Sequence, residues 1–124
     1  MTVTLHVCIT CRGGQTLNEG ETTPGARLHA AILDFGVPEG VSVVAVECLS
    51  ACSQGCSVAL SAPGRWSYVY GRLSDANAPD VAAGAAAYAA APNGIVPWRS
   101  RPEIFRKQSL ARIPPISVIS EAAE

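Results

Sequence analysis

The chain has 124 residues and a mass of 12.8 kDa, enough for one domain with a core of its own. Hydrophobic residues make up 48% and charged residues 15%, which argues against a disordered chain. Nine Lys and Arg stand against ten Asp and Glu, so the net charge of -1 gives no electrostatic basis for binding nucleic acid or an anionic membrane.

Residues 2–8 read as a first strand, because Val3, Leu5 and Val7 alternate with Thr2, Thr4 and His6. This opening has neither the basic start nor the apolar stretch of a secretory signal, and no apolar run reaches the ~18 residues of a membrane span. A cytoplasmic location is therefore expected. A glycine-containing loop follows to Thr22. The first helix is expected to start at Pro24, with Thr23 as its cap and Leu28, Ala31, Ile32 and Phe35 on one face, and to stop at Gly36 and Pro38. Residues 41–46 form a second strand whose continuous apolar character suggests burial on both faces. Residues 57–60 and 66–70 make an antiparallel hairpin around Pro63-Gly64, with Trp66, Tyr68 and Tyr70 on one side as hairpin core. A second helix spans 78–91, with Asn77 as a candidate cap and Val81, Ala85 and Tyr88 on its inner face. Beyond Pro97 the composition becomes basic, with Arg99, Arg101, Arg106, Lys107 and Arg112 against Glu103 before residue 113. The expected division is one α/β domain over 1–91 and a Pro-containing basic extension over 92–124.

The cysteines are the anomaly. Cys8, Cys11, Cys48, Cys52 and Cys56 all lie in the first 56 residues. An odd number in a reducing compartment disfavours a disulfide framework. Cys8-x2-Cys11 and Cys48-x3-Cys52 each follow an expected strand. If those strands are parallel neighbours, their carboxyl ends lie ~4.8 Å apart, and the two loops converge where open α/β folds place their sites. Four thiolates form a soft donor set that selects zinc, Cu(I) or iron–sulfur centres over magnesium or calcium. The glycines and serines around them, Gly13, Gly14, Ser50, Ser53 and Gly55, leave backbone N–H groups free to approach cluster sulfides. Spacing alone does not separate zinc from iron–sulfur.

The Cys8/Cys11 pair, the run Cys48-Leu49-Ser50-Ala51-Cys52-Ser53-Gln54-Gly55 and the Gly64-Arg65-Trp66-Ser67-Tyr68 return resemble the thioredoxin-like [2Fe–2S] ferredoxins. The whole order is also similar to a family of small predicted metal-binding proteins without assigned activity. The resemblance covers about residues 3–91. It implies an α/β, thioredoxin-like β-α-β-β-β-α fold with a single mixed sheet and helices. It also implies a [2Fe–2S] cluster on Cys8, Cys11, Cys48 and Cys52 and a one-electron carrier rather than an enzyme. The first pair is more closely spaced than in those ferredoxins, and Cys56 stands where a proline-containing pair is usual. Cys56 is therefore read as a non-ligand close to the cluster that is also a candidate to replace one of the four.

Two further functions remain open on the residues. A zinc-binding structural or metal-handling module would use the same four cysteines. A thiol–disulfide oxidoreductase would use Cys8/Cys11, whose spacing resembles that of thioredoxin. That reading lacks a helix N-terminus directly after the pair, because the expected helix starts a dozen residues later. His6 is read as a strand-surface residue, and neither His6 nor His29 is assigned to a metal. The expected partner is a redox protein, with a second copy of the chain as a further option; the basic extension is read either as an ordinary solvated C-terminal segment or as the surface that docks an acidic redox partner. Neither nucleic acid nor membrane is expected.

Overall fold

The computed structural model describes residues 3–11, 20–47, 49 and 55–115. Alternation builds β1 (Val3–Cys8), in which Val3, Leu5 and Val7 are buried while Thr4 and His6 are half-buried on the other side. α1 (Pro24–Phe35) starts as expected. Thr23 is extended and accepts the Ala26 N–H at 3.0 Å, and Pro24 occupies the first turn, where a missing N–H leaves no bond unmade. β2 (Val41–Val46) returns parallel to β1, with Val3 opposite Val41 and Cys8 opposite Val46. β3 (Val58–Ser61) pairs antiparallel with β1, and β4 (Ser67–Tyr70) pairs antiparallel with β3, closing the expected hairpin. A 3-10 turn over Asp75–Asn77 leads into α2 (Ala78–Ala90).

The chain does not leave the sheet there. A short 3-10 turn, Trp98–Ser100, is followed by α3 (Glu103–Lys107) and β5 (Ser109–Ile113), which pairs antiparallel with β4. The result is one mixed sheet of order β2-β1-β3-β4-β5 with helices, an α/β arrangement. The sequence reading had no strand after Tyr70. Residues 109–113 are only weakly alternating, and their pairing depends on a partner strand that local pattern does not show.

Cross-strand register places Val3, Leu5, Val7, Val58, Leu60, Tyr68 and Tyr70 on one face of the sheet. All seven are buried, together with Leu28 and Ile32 of α1, Val81, Ala85 and Tyr88 of α2, and Phe105 of α3. The opposite face, with Thr4, His6, Ala59, Ser61 and Val69, is only half-buried. His6 hydrogen-bonds there to the Ser61 hydroxyl at 3.1 Å, in keeping with a strand-surface role.

Three local expectations differ. β2 is not buried on both faces: it is an edge strand, its residues are exposed or half-exposed, and Val44 retains 42% of its surface. A run of valines reads alike in a central and an edge strand, so sequence could not separate the two. Phe35 lies at the last residue of α1, past the core, and is 58% exposed, unlike Leu28 and Ile32 on the same helical face. Asn77 makes no side-chain cap to α2; its Oδ1 instead accepts the Ser74 N–H at 2.8 Å and closes the preceding 3-10 turn.

Candidate metal centre

Cys8 is the last residue of β1 and lies between the end of β2 and the start of β3. Its N–H donates to Ser57 O at 3.1 Å, and the next N–H, of Ile9, donates to Val46 O at 2.9 Å. The chain then turns through Thr10 to Cys11. Both thiols are buried, Cys8 fully and Cys11 with 3% exposure. Their sulfurs are 2.9 Å apart, with the Cys11 thiol donating to Cys8.

α1 begins against this turn, although a dozen residues of sequence intervene. The Gly25 N–H donates to Cys11 O at 3.0 Å, and the Thr23 hydroxyl donates to Ile9 O. A Cβ on Gly25 would lie 2.1 Å from Cys8 O, so only glycine admits this approach. The helix N-terminus that the sequence reading found missing is therefore brought to the cysteine turn by the fold. Local spacing could not reveal it, because the return runs through a loop.

The second cysteine loop starts beside the first pair. Glu47 O accepts from the Cys8 thiol at 3.5 Å and from the Thr10 hydroxyl, and the Leu49 N–H supports the Cys8 sulfur. Cys48 and Cys52 themselves lie outside the described residues, as do Arg12, Gly13, Gly14, Ser50 and Ser53. Among the described residues no three His, Cys, Asp or Glu side chains converge as a metal site.

The three described thiols have different acidities. Burial works to raise Cys8, but hydrogen bonds from Cys11, from Thr10 and from the Thr10 and Leu49 backbone outweigh it and hold Cys8 below the ordinary thiol value. Burial raises Cys11, and donating its proton to Cys8 raises it further, partly offset by Ser57. Burial, then the negative potentials of Cys11 and Cys8, push Cys56 up to about 11. Cys56 is fully buried and is fixed through its backbone, exchanging hydrogen bonds with Leu73 at 3.4 and 3.1 Å.

The donor chemistry fits a soft metal centre. Two buried thiols converge, one held below the ordinary thiol value, with backbone and hydroxyl donors beside the sulfurs. Thiolates sharing one tetrahedral ion with ~2.3 Å bonds are roughly 3.7 Å apart, so co-ligation asks for a small side-chain rotation rather than a new backbone. The sequence names Thr23 only as the cap of α1 and does not mark Thr10, Gly25 or Ser57. Thr10 lies inside the cysteine motif and Ser57 directly follows Cys56, but hydroxyl residues are too common for position alone to mark them.

The fold is similar to that of a thioredoxin-like [2Fe–2S] ferredoxin from Aquifex aeolicus. The TM-score is 0.57 at 13% identity, over 94% of this chain and 97% of that one. No curated protein matches the sequence. The model of a family described as a protein of unknown function (DUF1636) matches residues 5–115, and so extends past the 3–91 covered by the sequence resemblance. That match spans β1 to β5, and the chain belongs to this family.

Proposed function

We propose that this chain is a small [2Fe–2S] protein that carries one electron at a time, with Cys8, Cys11, Cys48 and Cys52 holding the cluster. The observation that carries the reading is the buried Cys8/Cys11 pair at the carboxyl end of β1, with Glu47 and Leu49 of the second cysteine loop against the Cys8 sulfur. The whole-length likeness to a ferredoxin fold supports it. When bound, such a cluster supplies a site that accepts and releases a single electron. The residues of this chain do the rest. Cys8 and Cys11 offer sulfur, with Cys8 held below the ordinary thiol value by its donors. Thr23 and Gly25 fix the turn against α1. Leu5, Val7 and Val58 keep the adjoining core dry. Cys56, fully buried and tied to Leu73 through its backbone, lies close to Cys8 and Cys11 and stays a candidate to replace one of the four.

One observation favours a second reading. The lowered Cys8, its donor Cys11 at 2.9 Å and the nearby N-terminus of α1 are the ingredients of a thiol–disulfide oxidoreductase. Burial of both thiols opposes it, since an attacking thiolate has to reach a substrate disulfide. The deciding experiment is an absorption spectrum of protein purified without oxygen, with iron, sulfide and zinc quantified on the same sample. Broad visible bands with iron and sulfide in equal amounts, two of each per chain, are expected. A colourless protein with one zinc would replace the carrier with a structural or metal-handling module. A metal-free protein that stays colourless after reconstitution would bring the thiol reading forward.

A further inference from the structure

Ser57 is the described polar residue that is completely buried, and it lies at the cysteine end of the sheet. Its Oγ is 3.6 Å from Cys11 Sγ, and among the described residues that sulfur is its hydrogen-bond partner. Counting protons settles which atom donates. Glu47 O is a carbonyl and can only accept. Cys8 donates to it, Cys11 donates to Cys8, and each thiol has one proton. Cys11 has none left for Ser57, so the serine hydroxyl heads the chain and donates to Cys11. The Ser57 backbone N–H acts on the same sulfur in the same direction.

Thr10 makes the contrast. Its Oγ is also 3.6 Å from a cysteine sulfur, that of Cys8, but Glu47 O lies within reach as a second acceptor for its one proton. Removal of the thiol protons leaves the Ser57 donor in place and still aimed at sulfur. A buried hydroxyl committed to a thiolate favours whichever state puts more negative charge on that sulfur.

Resting on the iron–sulfur reading above, we propose that Ser57 is a positioning residue that sets the reduction potential of the centre, its hydroxyl stabilising the reduced state through the Cys11 sulfur. Among the described residues the side chain's hydrogen-bond partner is the Cys11 sulfur, and it acts through that atom.

The test compares wild type, Ser57→Ala and Ser57→Thr, each purified or reconstituted without oxygen. Iron and sulfide are quantified, and the reduction potential is read by anaerobic titration of the visible absorption. Ser57→Ala removes one atom from a buried site, and is expected to keep its iron and sulfide and shift to a lower potential. Ser57→Thr keeps the hydroxyl and is expected to restore the wild-type value. An Ala variant with full iron and sulfide and an unshifted potential overturns the role of Ser57 and leaves the carrier reading standing. A Thr variant that shifts as far as Ala, with its cluster intact, overturns the hydroxyl as the cause. Wild type that takes up no iron and sulfide overturns the carrier reading itself, and this inference with it.

Discussion

The cysteine end of the sheet and the flank built by β4, β5 and α3 are held together by different means. At the cysteine end the contacts are short and polar: Thr23 to Ile9 O, Gly25 N to Cys11 O, Thr10 to Glu47 O and Ser57 to Cys11. Small residues let backbones approach there, and Gly25 packs directly on Cys8 O. At the flank the contacts are aromatic. Phe105 stacks on Tyr70 with ring centroids 3.8 Å apart, Tyr70 lies parallel to Tyr68 at 5.8 Å, and Tyr68 meets Tyr88 edge-on at 6.4 Å. Rings of this size bury a large apolar area without regard to exact chemistry. The flank therefore supplies stability, and the cysteine end spends its contacts on fixing sulfur. Damage to the flank is expected to leave the cysteine end's signature intact, whereas damage at the cysteine end is expected to change both.

The sharpest break is Phe105→Ala. The ring is 1% exposed, stacked on Tyr70 and seated over Gly84, where a Cβ would lie 2.0 Å from it. Its removal leaves a cavity, and a loss of about 3–5 kcal/mol is expected from denaturant midpoints. Iron and sulfide per folded chain should not change. A folded variant that loses its iron would show that the flank and the cysteine end are not separable. Gly25→Ala is the reciprocal test. The new Cβ cannot coexist with Cys8 O, so α1 has to withdraw from the turn. A loss of about 1–3 kcal/mol is expected from overpacking, now accompanied by weaker retention of iron. Unaltered retention would mean that the contact between α1 and the turn does not serve the site.

This division also explains what the sequence revealed. Alternation in β1, the Thr23-Pro24 start of α1 and the hairpin of Tyr68 and Tyr70 are local signals, and each appears where expected. The parallel pairing that puts Val46 beside Cys8 followed from two strands joined by one helix. Non-local features were hidden. β5 is a strand because β4 offers an edge, and Phe105 is core because Tyr70 and Gly84 make a slot for it. At the candidate site the cysteines were legible by spacing, whereas Ser57, Thr10 and the return of α1 depend on contacts across 46, 37 and 14 residues. Hydrogen-bond donors with no spacing rule leave no trace in a single sequence.

A third test separates Cys56 from the ligands by pH, in the metal-free protein. Its folded value of about 11 lies above the ordinary 9.0, so the folded state keeps a proton that the unfolded chain releases. The stabilisation is complete below pH 9 and is lost as pH rises through about 11. The full loss is about 3 kcal/mol at most. Cys56→Ala should flatten this alkaline decline, measured as the unfolding midpoint between pH 8 and 11. An equally steep decline in the variant would assign it to another group.

The smallest effect concerns the basic residues after Pro97, read from sequence either as an ordinary solvated extension or as a docking surface for a redox partner. Several are already occupied within the chain. Arg101 lies over both Tyr68 and Trp98, at 5.5 and 5.4 Å, and donates to Val96 O at 2.9 Å. Arg106 donates to Trp98 O, and Lys107 pairs with Glu103. Arg112 sits 4.6 Å over the Trp66 ring and so ties β5 to the hairpin. An exposed cation–π contact of this kind is worth ~0.5–1 kcal/mol. Arg112→Gln is expected to lower the unfolding midpoint by that small amount and to quench or shift tryptophan fluorescence, because Trp66 loses its cover. If Arg112 serves only the fold, the salt dependence of electron exchange with a negatively charged carrier should match wild type. A flatter salt dependence in the variant, with stability unchanged, would return Arg112 to the docking surface and make the aromatic flank a working face as well as a brace.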